Sequence, residues 1–203
     1  MNRKKVDHKA ALLEAALAEF IEKSYEEASL NNIIKKAGTS KGTFYYHFQD
    51  KQALYLSLMQ SVVDAKMEFL DRRLNEYSHN EDLNLFENLK LQARFGVEFA
   101  KDYPKYYLFG LMFLREKGKE VYDATMNSLG DITDNYYDNL LEKSINKDEL
   151  RAGVSTQFAK KILPYLLVRY DEIFDLKEDT IDFDLILKQI DDLIDFIQYG
   201  LGK

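Results

Sequence analysis

Between Ser40 and Lys51 the chain sets out side chains suited to hydrogen bonding with phosphates and base edges: Ser40, Lys41, Thr43, Tyr45, Tyr46 and His47, with Gly42 among them. Short hydroxyls, one cation, two phenols and an imidazole make a poor packing surface. They offer donors and acceptors of several lengths, and Gly42 permits close backbone approach. Phe44 and Phe48, four residues apart, fall on the other side of the same helical pattern and point inward together. His47 could be a core histidine, but its place on the outward arc favours a phosphate contact. Catalytic constellations are weaker. His8, His47 and His79 are far apart in sequence. Glu76 and His79 have the Glu-x-x-His spacing of di-iron bundles, but that site needs a second such motif and two further glutamates. Neither a Gly-rich phosphate loop nor His-Glu-x-x-His occurs. The expectation is therefore no catalytic residue, no metal and no cofactor.

The elements that position this run are short. Leu30, Ile33, Ile34 and Ala37 share one face of a helix opened by Ser29, a good N-cap. A break at Gly38-Thr39 separates it from the helix beginning at Ser40. Two short helices joined by a glycine-containing turn have the geometry of a helix-turn-helix, whose second helix enters the DNA major groove. A first helix from about Asp7 to Lys23 supplies Leu12, Leu13, Ala16 and Phe20. Asp50 caps a fourth helix that reads through Leu54, Leu58, Val62 and Phe69 to about Tyr77.

The stretch SLNNIIKKAGTSKGTFYYHFQDK, Ser29 to Lys51, resembles the DNA-binding signature of the TetR family of bacterial transcriptional regulators. The hydroxyl opening helix two, the Ile-Ile pair, Ala-Gly and Ser-Lys-Gly-Thr-Phe-Tyr-Tyr-His-Phe are kept, followed by Lys51-Gln52-Ala53-Leu54. Thr39 stands where a small aliphatic is usual, and Asn31-Asn32 where charged residues are common. The motif spans roughly a quarter of the chain. The resemblance implies that Ser29 and Asn31 of helix two join Ser40, Lys41, Gly42, Thr43, Tyr45, Tyr46, His47 and Lys51 at DNA. Lys41, Gly42, Thr43 and Tyr45 would reach base edges or the adjoining backbone, and Tyr46, His47 and Lys51 would hold phosphates. It also implies an inducer pocket between central helices.

Charge and composition agree with such a reading. Residues 1–51 hold nine Lys and Arg against seven Asp and Glu, a net of +2, within a chain of net −7. The acidic remainder would turn the N-terminal end toward a duplex. Arg3, Lys4, Lys5, Lys35, Lys36, Lys41 and Lys51 lie in or beside the proposed surface. The absence of cysteine excludes disulfides and thiolate metal sites. No apolar run is long enough to span a bilayer, and no signal-like segment opens the chain. The expectation is a cytoplasmic protein without a membrane partner.

The rest of the chain reads as helix, with two prolines and nine glycines as breaks. Ser78 to Asp82 reads as a polar loop. A fifth helix, about Leu83 to Lys101, is apolar on two sides: Phe86, Leu89, Ala93, Gly96 and Ala100 on one, Leu91, Phe95 and Phe99 on the other. Such a helix is sandwiched inside a domain. Pro104 suits the first turn of a sixth helix, and Gly118 and Gly130 are weak breaks beyond it. A loop at Asn146-Lys147-Asp148 leads to a helix ending near Phe174, with Pro164 expected to kink it. The last helix runs from about Asp179 to Tyr199.

Phe95, Phe99, Tyr103, Tyr107, Met112, Phe113 and Tyr165 form an aromatic-rich set suited to an aromatic or amphipathic effector; spacing alone favours plain core packing, and the resemblance favours the pocket. Phe158, Ile162 and Leu166, with Ile190, Ile194 and Ile197, form faces broad enough to pair with their symmetry mates in a homodimer. The expected architecture is all-α. A three-helix helix-turn-helix domain, 1–51, is joined by the long helix to an effector-binding and dimerisation domain, 52–203. The expected function is a repressor released from a near-palindromic DNA operator by a small molecule. A helical enzyme or carrier with a buried lipophilic ligand is the alternative, but it has no need of the outward Ser40–His47 surface. A regulator whose pocket is vestigial is a third reading.

Overall fold

The computed structural model describes residues 7–77, 83–146, 149–168, 173–174 and 182–202. The nine helices it defines in that range are α1 (His8–Phe20), α2 (Leu30–Lys36), α3 (Lys41–His47), α4 (Lys51–Glu76), α5 (Leu85–Asp102), α6 (Pro104–Leu114), α7 (Glu120–Asn146), α8 (Thr156–Val168) and α9 (Phe183–Leu201). Among the described residues the only extended pairing is a single bridge between Leu150 and Gly202. The helix starts follow from local chemistry. Asp7 accepts from the N–H groups of Lys9 and Ala10, Asp50 from that of Ala53 at 2.7 Å, Asn84 from those of Phe86 and Glu87, and Asp182 from those of Asp184 and Leu185. Each satisfies donors that a helix N-terminus leaves open. Pro104 takes the first turn of α6, as expected.

Two boundaries differ from expectation. Gly118 does break the chain, with φ +82 between α6 and α7, whereas Gly130 lies inside α7. An interior glycine costs a helix only about 1 kcal/mol, which packing overrides. The helix after the loop near residue 147 begins at Thr156 and runs through Pro164. The polar loop expected at Ser78–Asp82, with His79, lies outside the described residues.

The chain forms two compact units, Met1–Lys66 with Asp102–Leu129, and Met67–Lys101 with Gly130–Lys203. This differs from the expected division at residue 51. The reason is aromatic packing. Phe109 of α6 is fully buried, 6.3 Å from Phe20 of α1 and 5.2 Å from Tyr55 of α4, ring centre to ring centre. Leu12, Ala16, Ile33, Phe44, Phe48 and Leu54 complete that core. α6 is thus a structural part of the helix-turn-helix unit.

The second unit closes on Leu85, Phe86 and Leu89 of α5, Leu141 of α7, Ala159 and Leu163 of α8, and Leu193, Ile194 and Ile197 of α9. The other side of α5 is buried too. Phe99 packs edge-on against Phe69 of α4 at 5.5 Å, and the Arg73 guanidinium lies 5.0 Å above the Phe95 ring. That guanidinium also grips Glu98 through Nε and Nη2, both at 2.9 Å. The two-sided reading of α5 therefore holds. At the end of α9, Gly202 sits where a Cβ would come 2.8 Å from the Phe86 ring.

Candidate nucleic-acid interface

α3 is seven residues long, and its own sequence does little to hold it helical. Three devices fix it. Gly38 takes φ +63, a left-handed conformation that closes the turn after α2. Ser40 caps the helix: its Oγ accepts the Thr43 N–H at 3.0 Å and lies 2.9 Å from Thr43 Oγ1. Phe44 and Phe48 anchor the inner side, both buried with ring centres 5.8 Å apart. The outer side is left open. Tyr46 is 84% exposed and Tyr45 58%, and Lys41 and Gly42 are exposed. A Cβ on Gly42 would meet nothing nearer than Ser40 Oγ at 3.7 Å, so a DNA backbone has room there. His47 is half-buried, edge-on to Tyr46 at 5.0 Å.

On α2, Asn31 is exposed. Ser29 is half-buried and engaged: its Oγ accepts the Asn32 N–H at 3.4 Å and its own N–H donates to Glu19 at 3.3 Å.

Two cations expected near phosphates are committed within the molecule instead. Lys51 Nζ donates to the carbonyls of Tyr25 at 2.7 Å, Ala28 at 3.2 Å and Glu26 at 3.4 Å, and lies 4.4 Å from the centre of the Tyr25 ring. An ammonium has three N–H donors, and three carbonyls receive them. Lys51 is therefore a clamp on the loop between α1 and α2. Lys36 Nζ bonds Glu19 at 3.0 Å. Lys35 and Lys41 remain exposed with no ion pair among the described residues. Arg3, Lys4 and Lys5 lie outside them.

Sequence reasoning missed Glu19 and Glu116. Glu19 is buried and holds Lys23 at 2.6 Å, Lys36 at 3.0 Å and the Ser29 N–H. Burial alone would raise its carboxyl. The hydrogen bonds from Lys23, Lys36, Ser29 and Asn32 outweigh that and bring it down to about 2. Its position on the Leu12–Ala16–Phe20 side of α1 was the available signal, since a carboxylate on a buried stripe requires partners. Glu116, also buried, accepts the Tyr25 N–H at 2.7 Å across 91 residues of sequence, and no local pattern announces that.

The sequence profile described as "Bacterial regulatory proteins, tetR family" matches residues 12–58, which span the buried core of α1 to α4 and the open face of α3. Residues 12–58 are thus similar to the TetR family. An uncharacterised HTH-type transcriptional regulator of Bacillus subtilis (strain 168), YvdT, is 28% identical over 168 residues, 80% of each protein. The fold of this chain is shared with the fatty acid degradation regulator FadR of Bacillus halodurans: TM-score 0.70, 21% identity, 95% of this chain and 96% of that one. It is shared also with the transcriptional regulator FadR of Bacillus subtilis in complex with stearoyl-CoA: TM-score 0.68, 19% identity, 91% and 96% covered.

The residues expected at an effector divide between the two units of the chain. Phe95 and Phe99 are buried against α4 in the second unit. In the first unit Phe113 is buried, stacked on Tyr122 at 4.7 Å, Met112 is half-buried beside Arg115, and Tyr103 is exposed, stacked on Tyr106 at 5.8 Å. Tyr107 is half-buried, and desolvation raises its hydroxyl above the usual range. Tyr165 departs from expectation. It is an exposed residue of α8, whose inward side is Ala159 and Leu163.

The expected pairing face needs a similar correction. Ile194 and Ile197 are buried in the core of their own unit, at 1% and 3% exposure, because the apolar arc of α9 first closes against α5 and α8. Ile190, Ile162 and Leu166 are partly buried against the same core. Phe158 is exposed, and Leu185, Phe196 and Tyr199 join it as large exposed apolar residues of α8 and α9.

Proposed function

We propose that the chain is a DNA-binding transcriptional repressor that reads a near-palindromic operator as a two-fold dimer and is released by a small amphipathic effector. One observation carries the reading. The short helix α3 is capped and buried on one side, while Lys41, Gly42, Tyr45 and Tyr46 stand open on the other. Tyr45 and Lys41 then reach base edges, Tyr46 and His47 the phosphates, and Asn31 extends the contact from α2.

One such reader covers only a few base pairs, so useful specificity requires two, about 34–36 Å apart or somewhat wider. The exposed apolar residues Phe158, Leu185, Phe196 and Tyr199, which lie on the last two described helices, support a pairing surface on α8 and α9. Stearoyl-CoA bound by the Bacillus subtilis FadR supports a long-chain acyl compound as the effector class. DNA and effector then weaken each other by one shared factor, about 1–3 kcal/mol for a useful switch. The protein acts in the cytoplasm, where its DNA is.

Selection of duplexes from a random-sequence pool tests the reading. A near-palindromic consensus is expected, bound specifically by the parent and about 1–3 kcal/mol more weakly by Tyr45→Ala. Equal affinity of the parent for consensus and random duplex, or of Tyr45→Ala and parent for the consensus, would remove α3 from the interface.

A further inference from the structure

The corner between α6 and α7 holds a buried carboxylate that grips the loop between α1 and α2. Residues 115–119 turn tightly. The Glu116 N–H donates to the Phe113 carbonyl at 3.0 Å, the Lys119 N–H donates to the Glu116 carbonyl at 3.0 Å, and Gly118 supplies the positive φ. The corner therefore presents the Glu116 side chain from a fixed backbone. That residue is 1% exposed, and each carboxylate oxygen has one partner. Oε2 accepts Lys119 Nζ at 2.6 Å, and Oε1 accepts the Tyr25 N–H at 2.7 Å. A carboxylate is costly to bury, and an apolar residue of similar volume would serve stability as well. What the carboxylate adds is direction.

The residue it holds is also held from the other side. The Tyr25 carbonyl receives Lys51 Nζ at 2.7 Å, and the Tyr25 ring lies under the same ammonium. Lys51 opens α4 four residues after α3 ends at His47. The Tyr25 ring is packed against Phe20 and Tyr55, at 6.1 and 5.2 Å. Tyr25 is thus fixed by its ring, its N–H and its carbonyl. The chain of contacts runs from the α6–α7 corner through one residue, Tyr25, to the residue that sets the exit of the reading helix.

We propose that Glu116 is a positioning residue for DNA recognition. It acts through the Tyr25 backbone and Lys51 to hold α3 at its working angle, without touching DNA. The inference rests on the proposed reading role of α3. A loose Tyr25 backbone leaves Lys51 free to move, and the start of α4 with it. Specific binding needs every base contact of α3 aligned, whereas random-sequence binding needs only charge nearby. Losing Glu116 should therefore cost specific affinity and spare non-specific affinity. Glu116→Gln keeps an oxygen able to accept the Tyr25 N–H, so it should restore most of the loss.

The test uses the full chain and two probes: the consensus duplex selected with the parent, and a random-sequence duplex of the same length. Glu116→Ala is expected to bind the consensus about tenfold more weakly, with random-duplex affinity within about twofold of the parent and Glu116→Gln close to parent on both. The double variant of Glu116→Ala with Lys51→Met should lose little more than the worse single variant, because both act on one residue, Tyr25. Amide exchange gives a second readout: Glu116→Ala should expose the Tyr25 N–H while that of Phe20 stays protected. Unchanged consensus affinity in Glu116→Ala, equal losses on both duplexes, or additive losses in the double variant would each overturn the proposal. A parent that bound consensus and random duplex alike would instead overturn the reading role of α3.

Discussion

Lys51 and Tyr25 are joined twice: the ammonium donates to the tyrosine's carbonyl at 2.7 Å and rests 4.4 Å from the centre of its ring. Charge-assisted bonds to carbonyls and a cation over an aromatic face both favour keeping the ammonium inside the unit. Lys51→Met should destabilise the first unit by about 2–3 kcal/mol. It should leave the slope of DNA affinity against salt unchanged, because no phosphate loses a partner. Lys41→Ala should reduce that slope by about one phosphate contact. Titrations of the consensus duplex across salt concentrations compare the two; an equal fall for both variants would return Lys51 to the phosphates.

Glu19 makes stability depend on acid. Its carboxyl is depressed in the folded state, from 4.5 to about 2. Its contribution is therefore fully present above about pH 4.5 and is lost as pH falls toward about 2. Lys23 and Lys36 are partly exposed, so solvent screening limits the contribution to about 2 kcal/mol at neutral pH. Glu19→Gln should be less stable by that amount at pH 7, and the gap to the parent should narrow between pH 4.5 and 3. Urea denaturation at the two ends of that range measures it, and a constant gap would show that charge is not the cause.

Thr39 Oγ1 is buried with no hydrogen-bond partner among the described residues. A hydroxyl in that condition costs free energy that a methyl does not. Thr39→Val should raise stability by about 1 kcal/mol, read as a higher Tm. A lower Tm would mean that the hydroxyl has a partner in solution.

The two faces of α9 should respond differently to charge. Ile194→Asp places a carboxylate in a closed core and should unfold the second unit, with a loss of several kcal/mol. Phe196→Asp changes a residue 72% exposed and should leave a folded chain. If a second copy covers that face, Phe196→Asp will run as a monomer in gel filtration with light scattering and bind the consensus duplex poorly. A Phe196→Asp protein with the parent's mass and affinity would move the pairing surface elsewhere.

Local chemistry carried the reader. The Ser29 and Asp50 caps, the inward Phe44 and Phe48, and Pro104 at the start of α6 were all legible, because each depends on neighbours within four residues. The partners of Lys51 were not. A lysine beside a reading helix looks the same whether it meets a phosphate or three carbonyls, and only closure of the loop at residues 21–29 decides. Ile194 and Ile197 show a similar limit. The breadth of an apolar arc is written in the sequence, but not which part meets the chain's own α5 and α8. The place of Phe109 beside Phe20 depends on a contact across nearly ninety residues, which no periodicity reports.

Because residues 102–129 complete the core around Phe20 and Tyr55, the reader of this regulator is not a removable cap. A chimera spliced at residue 51 would inherit α3 but lose its own Glu116, Phe109 and Phe113. It would then rely on whatever the recipient offers beneath Tyr25. Swapping operator preference between relatives should succeed when both segments, 1–66 and 102–129, travel together. In that sense the stretch 67–101 behaves as an insertion within the reader, and the unit of inheritance for DNA specificity is discontinuous along the gene.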